Sequence, residues 1–437
     1  MIETRSAGAT WSGNHQYRAT EVRLPTGIDE LAEVVVSAAH LRVQATRHTF
    51  NDVADSEGAL VSLEKMPTRV DVSGDRVRVE GLVTFAQLAP VLEAEGRALH
   101  NLGSLPHISV AGATATGTHG SGVRNGNLSS AVTGVELMDA DGRTHRIDED
   151  HPWFGAAALS VGALGVVTAL ELRTEPTYAV TQQAYTGVAW ADIAADPIAV
   201  LGGSRSVSIF TTWGDPAHDL VWAKSDTGST SWVEELGGTA VGDDIHLGRI
   251  RTVDNTTPRG TAGPWHTRLP HFRADALPSD GDEIQSEYFV PLASAAEALA
   301  AVREIAPDFA AHLLVTELRT VAADRLWLSP AYERDVLAIH FTWRNDTAGV
   351  LSVLPRIEAA LAPFDARPHW GKAFTMPGER ILATLPRGRD FDAVAREVDP
   401  RGVFRNAFLQ RVFGGQPGPA ASTGSAPSRG RGARPHP

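Results

Sequence analysis

Apolar residues recur at helical spacing in a few stretches of the chain and alternate with polar residues in many more. Across residues 25–41, Leu31, Val34, Val35 and Ala38 repeat every three to four positions with Asp29 near the start, which predicts a helix. Arg42 to Arg47 reads as a short strand leading to His48. Short strands follow at 60–63 and 69–72, and Arg76-Val-Arg-Val-Glu80 alternates as a half-buried strand does. Residues 84–95 predict a second helix, with Leu88, Val91 and Leu92 as its stripe and Gly96 at its C′ position. Segments 131–138 and 143–147 flank Asp139-Ala-Asp-Gly142 and predict a hairpin. Residues 165–172 alternate again and close a first domain near Pro176.

The second half begins irregularly, and Trp11 to Tyr17 is taken as the start of order in the first. Strand-like pieces lie within 202–224, including Val207 to Phe210 and Leu220 to Trp222. Residues 225–282 are rich in Gly, Pro, Thr and Asp and are expected to form long loops. Strands are predicted at 283–291, 313–320 and 336–343. Ser294 and Glu297 have capping-box spacing for a helix running to about Ile305. A helix over 347–361 is expected to be interrupted by Pro355. This order resembles an antiparallel sheet covered on one side by helices. A last helix at 390–398 returns to Phe404–Phe408, and everything from Gly414 onward lacks an apolar pattern and is expected to be a disordered tail. No internal repeat is apparent.

One stretch breaks the alternation altogether. Residues 101–126, running through Pro106-His-Ile-Ser-Val-Ala-Gly-Ala-Thr-Ala-Thr-Gly-Thr-His-Gly-Ser-Gly122, are Gly, Ser, Thr and Ala with almost no charge. Glycine tolerates positive φ and short hydroxyls add acceptors, so such a stretch suits backbone wrapped around an anion. A plain flexible loop or a closely packed segment fits the composition as well. Gly117-Thr-His-Gly120-Ser-Gly122 has the wrong spacing for a Rossmann fingerprint.

Composition narrows the partners. The chain has 437 residues, enough for two domains, and a formal net charge of -13, which opposes nucleic acid and anionic membrane. It has no cysteine, which excludes disulfides, thiol catalysis and Cys-ligated metals. Its 16 histidines are scattered without a metal-ligand spacing, so no metal is expected. The N-terminus has no apolar signal-type stretch and no run is long enough to span a bilayer, so a cytoplasmic location is expected.

The predicted strands carry paired polar residues. Gln285 and Glu287, Glu317 and Arg319, and His340 and Thr342 are each two apart, which places each pair on one face of its strand. If the strands are neighbours, one sheet face is covered with hydrogen-bonding groups. A solvated outer face would give the same pattern, whereas Phe289, Phe341 and Trp343 nearby favour a pocket. His48 alone reads as a surface or packing histidine, and Lys372 alone as a solvated charge.

The glycine-rich stretch 106–122 resembles the flavin pyrophosphate loop of the vanillyl-alcohol-oxidase superfamily, and within it is most similar to the alditol (xylitol/sorbitol) oxidases and aldonolactone oxidases. The resemblance covers about residues 11 to 413. It implies an α+β architecture: a PCMH-type FAD-binding domain (1–178), a substrate domain with an antiparallel sheet covered by helices (179–383), a return to the FAD domain (384–414) and a tail (415–437). It implies FAD attached covalently through His48, which with Phe50 and Asn51 matches the family segment, although Ala45 and Arg47 stand where glycines are common. Thr46, Arg47, Thr49, Gly103, Ser104, Ser109, Gly112, Thr116, Thr118, His119, Gly120, Val167 and His369 are the other implied cofactor-binding positions. Lys372 lies in His-Trp-Gly-Lys, similar to a signature shared with the aldonolactone oxidases.

The implied substrate residues are Ser104, Gln285, Glu317, Arg319, Thr342 and Lys372, and the implied catalytic residues Arg319, Lys372, His340 and Glu317. Arg319 and Lys372 would stabilise the alcohol oxygen as charge builds on it, and His340 would take its proton because imidazole titrates near neutrality. Glu317 would hold Arg319, while Ser104, Thr342 and Gln285 read further hydroxyls. The resemblance thus implies oxidation of a terminal alditol alcohol to the aldehyde, with O2 becoming H2O2. Small Gly103 would leave room for O2. The expected partners are a polyol and O2, and the chain is expected to be a monomer. An aldonolactone oxidase, a dehydrogenase with another acceptor, a non-oxidising flavoprotein and a non-flavin carbohydrate-binding protein are the alternatives.

Overall fold

The computed structural model describes residues 2–214, 219–242, 260–276 and 281–414. The tail at 415–437 and most of the glycine- and threonine-rich part of the expected loops (243–259, 277–280) lie outside the described residues.

Two larger sheets, with a two-stranded pairing of Arg97–Ala98 and Glu175–Pro176 beside them, build the first part of the chain. Strands Glu3–Ser6, Glu21–Leu24, Ala59–Val61 and Leu41–Val43 form a mixed sheet in that order, so order begins before Trp11. Helix Ile28–Ser37 buries Leu31, Val34 and Val35 and is shorter than its apolar pattern suggests, since Gly27 and Ala38 are both extended. The second sheet is antiparallel, ordered Arg69–Ser73, Arg76–Glu80, Val166–Arg173, Val132–Met138, Thr144–Asp148, and contains the expected hairpin. Helix Phe85–Ala94 starts from Thr84, which forms a capping box with Gln87. The chain end returns here: the Leu41 N–H donates to Val403 carbonyl at 2.8 Å, and Val403 and Phe404 join the core of Leu31, Val34 and Leu41.

The glycine-rich stretch is neither a nest nor a loop throughout. Val110–Thr116 is a helix of 7 residues, capped by Ser109 Oγ accepting from Gly112 N–H and ended by Gly117 at φ 71°. Alanine, threonine and valine propensities are ordinary in a helix, and a single glycine does not prevent one. Past this helix the backbone ties to the other half of the molecule, with the Gly122 N–H donating to the Thr320 carbonyl at 3.0 Å.

Among the described residues, that other half is built on an antiparallel sheet of nine strands. Its centre runs Leu220–Ser225, Ser206–Thr211, Leu313–Val321, Val336–Arg344, Glu283–Pro291. Gln285 pairs with Thr342, Glu287 with His340, and Glu317 with His340 from the other side, so the three polar pairs share one face. The opposite face carries Ile284, Tyr288, Leu318, Ile339, Phe341 and Trp343, which share a core with Leu299, Val302, Val350 and Leu354 of the covering helices. Strand parity therefore sends Phe341 and Trp343 away from the polar face, and of the three aromatics only Phe289 stays on it.

Several local expectations change for identifiable reasons. Strand Ala179–Thr186 and helices Trp190–Ala195 and Pro197–Gly202 were not legible as elements. Helix Ala295–Glu304 forms without the capping box, because a 3-10 turn at Leu292–Ser294 runs into it and leaves Ser294 at φ -104°, ψ 17° with no side-chain cap. Helix Thr347–Ala360 passes through Pro355 unbroken. Pro355 sits on the solvent side, and Leu351, whose carbonyl loses its partner, is 44% exposed, so this turn of the helix faces solvent.

Candidate active site

A cavity of about 280 Å³ lies between the polar sheet face and the first half of the chain. One wall is Thr46, Arg47, His48, Thr49, Ser104, Gly112, Thr116, Thr118, His119 and Val167. The other is Gln285, Glu287, Glu317, Arg319, His340 and Thr342, closed by His369 and Lys372. Glu317, Arg319, His340 and Thr342 are each 5–6% exposed, so the solvated-face alternative does not hold.

Gly103, Ser109 and Gly120 stand behind this lining. Ser109 is spent on the helix cap. Gly103 faces Thr118, with a Cβ at that position 3.4 Å from Thr118 Cγ2. A Cβ on Gly120 would fall 2.3 Å from the Leu102 carbonyl and 2.5 Å from Asn101 Oδ1, too close for any side chain. Gly120→Ala is expected to cost about 3 kcal/mol or more through this clash. A thermal scan of the variant checks it, and an unchanged melting temperature would return Gly120 to a ligand role.

Arg319 is the centre of the sheet face. Its Nη2 donates to Glu287 Oε1 at 2.9 Å, its Nη1 to Ser104 Oγ at 3.3 Å, and its Nε lies 3.6 Å from Glu317 Oε1. Burial lowers the basicity of such a group, but Glu317 and Glu287 outweigh it and raise its pKa. Burial likewise works against ionised Glu317, and Arg319 and His271 overcome it and hold the carboxyl below its ordinary range. Glu287 is held well below that range by His119 and Arg319 against the same burial. The guanidinium thus bridges two carboxylates and keeps a hydroxyl within reach.

Lys372 and His340 meet at Gln285. Its Oε1 accepts from Lys372 Nζ and from His340 Nε2, the latter at 3.2 Å, while its amide donates to Glu283. Hence the His340 proton is on Nε2, and Nδ1 is a buried lone pair without a protein partner. Burial pushes His340 down to about 3, with Lys372 and Arg319 adding to it. The expectation of an imidazole titrating near neutrality is therefore corrected: this ring stays neutral. Burial also pulls Lys372 down to about 8. Asn51 fixes the lysine segment by donating to the Trp370 and Lys372 carbonyls at 2.9 and 2.7 Å.

On the opposite wall, His48 stacks on Trp11 with ring centroids 5.2 Å apart. Its Nδ1 and the neighbouring Thr49 Oγ1 are buried without hydrogen-bond partners. Burial, with Lys372 and His107 adding, pushes His48 down to about 4. Arg47 takes φ 62°, the left-handed region that favours glycine.

Three site residues escaped the candidate set. Glu287 was visible as the partner of Gln285 at period two. His271 donates to Glu317 at 2.7 Å and Lys224 lies 3.1 Å from His271, but both come from segments whose contacts no local pattern reveals. His119, Glu287 and His369 also bring ligand-type atoms within 4.8 Å of one another. Arg319 already occupies Glu287, and His369 Nδ1 accepts from Gly371 N–H, which leaves its proton on Nε2. That suits a hydrogen-bonded cluster better than a metal.

Depressed histidines make stability pH-dependent. For a group whose folded pKa is lowered, stability is full above the unfolded value and is lost as pH falls through the folded one. His271 at about 4 and His340 at about 3, against 6.5, together give a loss of about 3 kcal/mol per pH unit below 6.5. The melting temperature is expected to drop by several degrees between pH 7 and 5, and a flat profile there would contradict the burial of neutral rings.

The chain matches two family models: the FAD binding domain over residues 19–148 and D-arabinono-1,4-lactone oxidase over 282–412. An alditol oxidase of Streptomyces sp. is 46% identical over 94% of this chain and 100% of its own length. L-gulono-1,4-lactone dehydrogenase of Mycobacterium tuberculosis is 27% identical over 93% of this chain and 99% of its own. Among solved structures, a cholesterol oxidase from B. sterolicum superposes with TM-score 0.74 at 14% identity, covering 94% of this chain and 97% of that one, which establishes the fold. Among the described residues no helix is long and apolar enough to cross a membrane.

Proposed function

The chain belongs to the alditol oxidase family of FAD-linked oxidoreductases, and from that premise we propose that it oxidises the terminal primary alcohol of an alditol such as xylitol or sorbitol to the aldose, with O2 reduced to H2O2. In this reading residues 1–178 and 384–414 hold the cofactor and 179–383 the polyol.

The observation that carries the reading is one cavity with two unlike walls. The His48 wall offers what a flavin requires: unpaired buried atoms at His48 Nδ1 and Thr49 Oγ1. Bound FAD supplies the two-electron acceptor. His48 Nδ1 or Nε2 would hold it covalently, and Thr46, Thr116, Thr118, His119 and Val167 would line it.

The sheet wall handles the alcohol. Arg319 and Lys372 provide cationic donors for the hydroxyl oxygen as it becomes electron-rich. His340 Nδ1 is the proton acceptor. Its low basicity in the closed site suffices, because a carbinol proton becomes strongly acidic once the C–H bond is breaking. Ser104, Gln285 and Thr342 pair the remaining hydroxyls, and a site built to pair them rejects substrates that lack them. Charge on Glu317 and Glu287 keeps Arg319 fixed instead of free to follow the substrate.

The relatives that act on lactones favour a second reading, oxidation of an aldonolactone with another electron acceptor. Oxygen-electrode assays with xylitol, sorbitol and L-gulono-1,4-lactone separate the two. Polyol-dependent oxygen uptake with equimolar H2O2 supports the proposal. Lactone turnover only with an added dye would overturn it.

A further inference from the structure

Beside the polyol residues lies a buried ionisable group that the reaction above does not use. Lys224 is the penultimate residue of the strand Leu220–Ser225 and is 1% exposed. Its Nζ donates to the Leu269 carbonyl, to the Pro270 carbonyl at 3.3 Å, and to His271 Nδ1 at 3.1 Å. Burial pulls Lys224 down to about 7, with Glu317 opposing and Arg319 adding, so below neutral pH it is an ammonium, and these acceptors take its three protons. His271 Nδ1 is therefore a lone pair, and the single proton of the neutral ring sits on Nε2. Nε2 lies 2.7 Å from Glu317 Oε1. Trp222 stacks on the imidazole with centroids 4.8 Å apart and planes 21° off parallel, which fixes the ring plane.

Burial pushes His271 down to about 4, in keeping with a neutral ring. Lys224 and Arg319 also disfavour its protonation, while Glu317 favours it. Glu317 itself is faced by His271, Arg319 and His340. Its two contacts with His271 and Arg319 both fall on Oε1, which leaves Oε2 as the acceptor for a substrate hydroxyl.

We propose that Lys224 and His271 are positioning residues of the polyol site: Lys224 fills His271 Nδ1, so that the imidazole presents only Nε2–H to Glu317 and fixes which carboxylate oxygen the substrate meets. Without Lys224 the proton is free to move to Nδ1, and a lone pair then opposes the carboxylate. The kinetic consequence rests on the polyol reading; the tautomer does not.

Two measurements test this. Lys224→Met is expected to lower kcat/KM for xylitol about 10- to 100-fold, mainly through KM, with FAD content unchanged. In a Glu317→Gln background the same substitution should add less than about threefold, since it acts through that carboxylate. His271→Gln, whose amide accepts from Lys224 and donates to Glu317, should recover most of what His271→Leu loses. Losses that multiply in the double variant, or a Lys224→Met protein with normal kcat/KM, would overturn the proposal. Independently, 15N-histidine NMR of the holoprotein, with His271 assigned through His271→Gln, should show a neutral Nε2–H ring. An Nδ1–H or cationic ring would overturn it whatever the substrate is. A wild-type protein that oxidises no polyol defeats the functional reading instead, and the NMR result still decides this one.

Discussion

Arg319→Lys is expected to lower kcat/KM for a polyol by about two to three orders of magnitude while FAD stays bound. Lysine keeps the positive charge but not the planar fork. One guanidinium now serves Glu287, Glu317 and Ser104 at once, at 2.9, 3.6 and 3.3 Å. A point charge cannot hold all three in that geometry, so the carboxylates shift and the alcohol oxygen loses its aimed donor. Arg319→Leu is a less informative change. It leaves two buried carboxylates without their shared cation and costs about 3–5 kcal/mol of stability. Steady-state kinetics on the lysine variant, with flavin content read from its spectrum, give the answer. Turnover near that of the unchanged protein would remove Arg319 from the chemistry.

His48→Ala is expected to convert FAD from acid-resistant to fully extractable. In the unchanged protein, denaturation in acid should leave the flavin with the precipitated chain; in the variant it should pass to the supernatant. Binding itself should survive, because Thr46, Thr116, Thr118 and His119 still line the cavity. The imidazole is suited to the role: it is neutral, with a buried Nδ1 that no protein group occupies, and Trp11 sets its plane. Flavin that stays with the chain in the alanine variant would refute the tether.

The polar face of the sheet could be read from the sequence because strand parity is a local rule, while its reading as a substrate wall came with the family resemblance. Gln285, Glu317, Arg319, His340 and Thr342 are placed on one face by period two, and nine paired residues of Glu283–Pro291 against Val336–Arg344 keep that register. The same rule, applied to Phe341 and Trp343, would have sent them to the helix-covered side. Glu287 was legible on the same grounds. His271 and Lys224 were not, since they lie 47 residues apart and no local pattern links them. The glycine-rich stretch hid a helix because its composition reads as loop, while its Ser109 cap and Gly117 terminator are short signals inside a uniform background. Pro355 misled for the opposite reason: a proline on the exposed side of a helix of 14 residues is tolerated where a buried one would break it. The basicity of His340 is a property of burial, and no residue type announces that.

The claim on which all of this depends is that a flavin and a polyol meet in the cavity between His48 and Arg319. The direct test is the visible spectrum of the purified protein, followed under anaerobic conditions as xylitol or sorbitol is added. The flavin bands should bleach in proportion to polyol and return when oxygen is admitted. A protein whose flavin bands stay unchanged with every polyol, or one that purifies without flavin, would contradict the account.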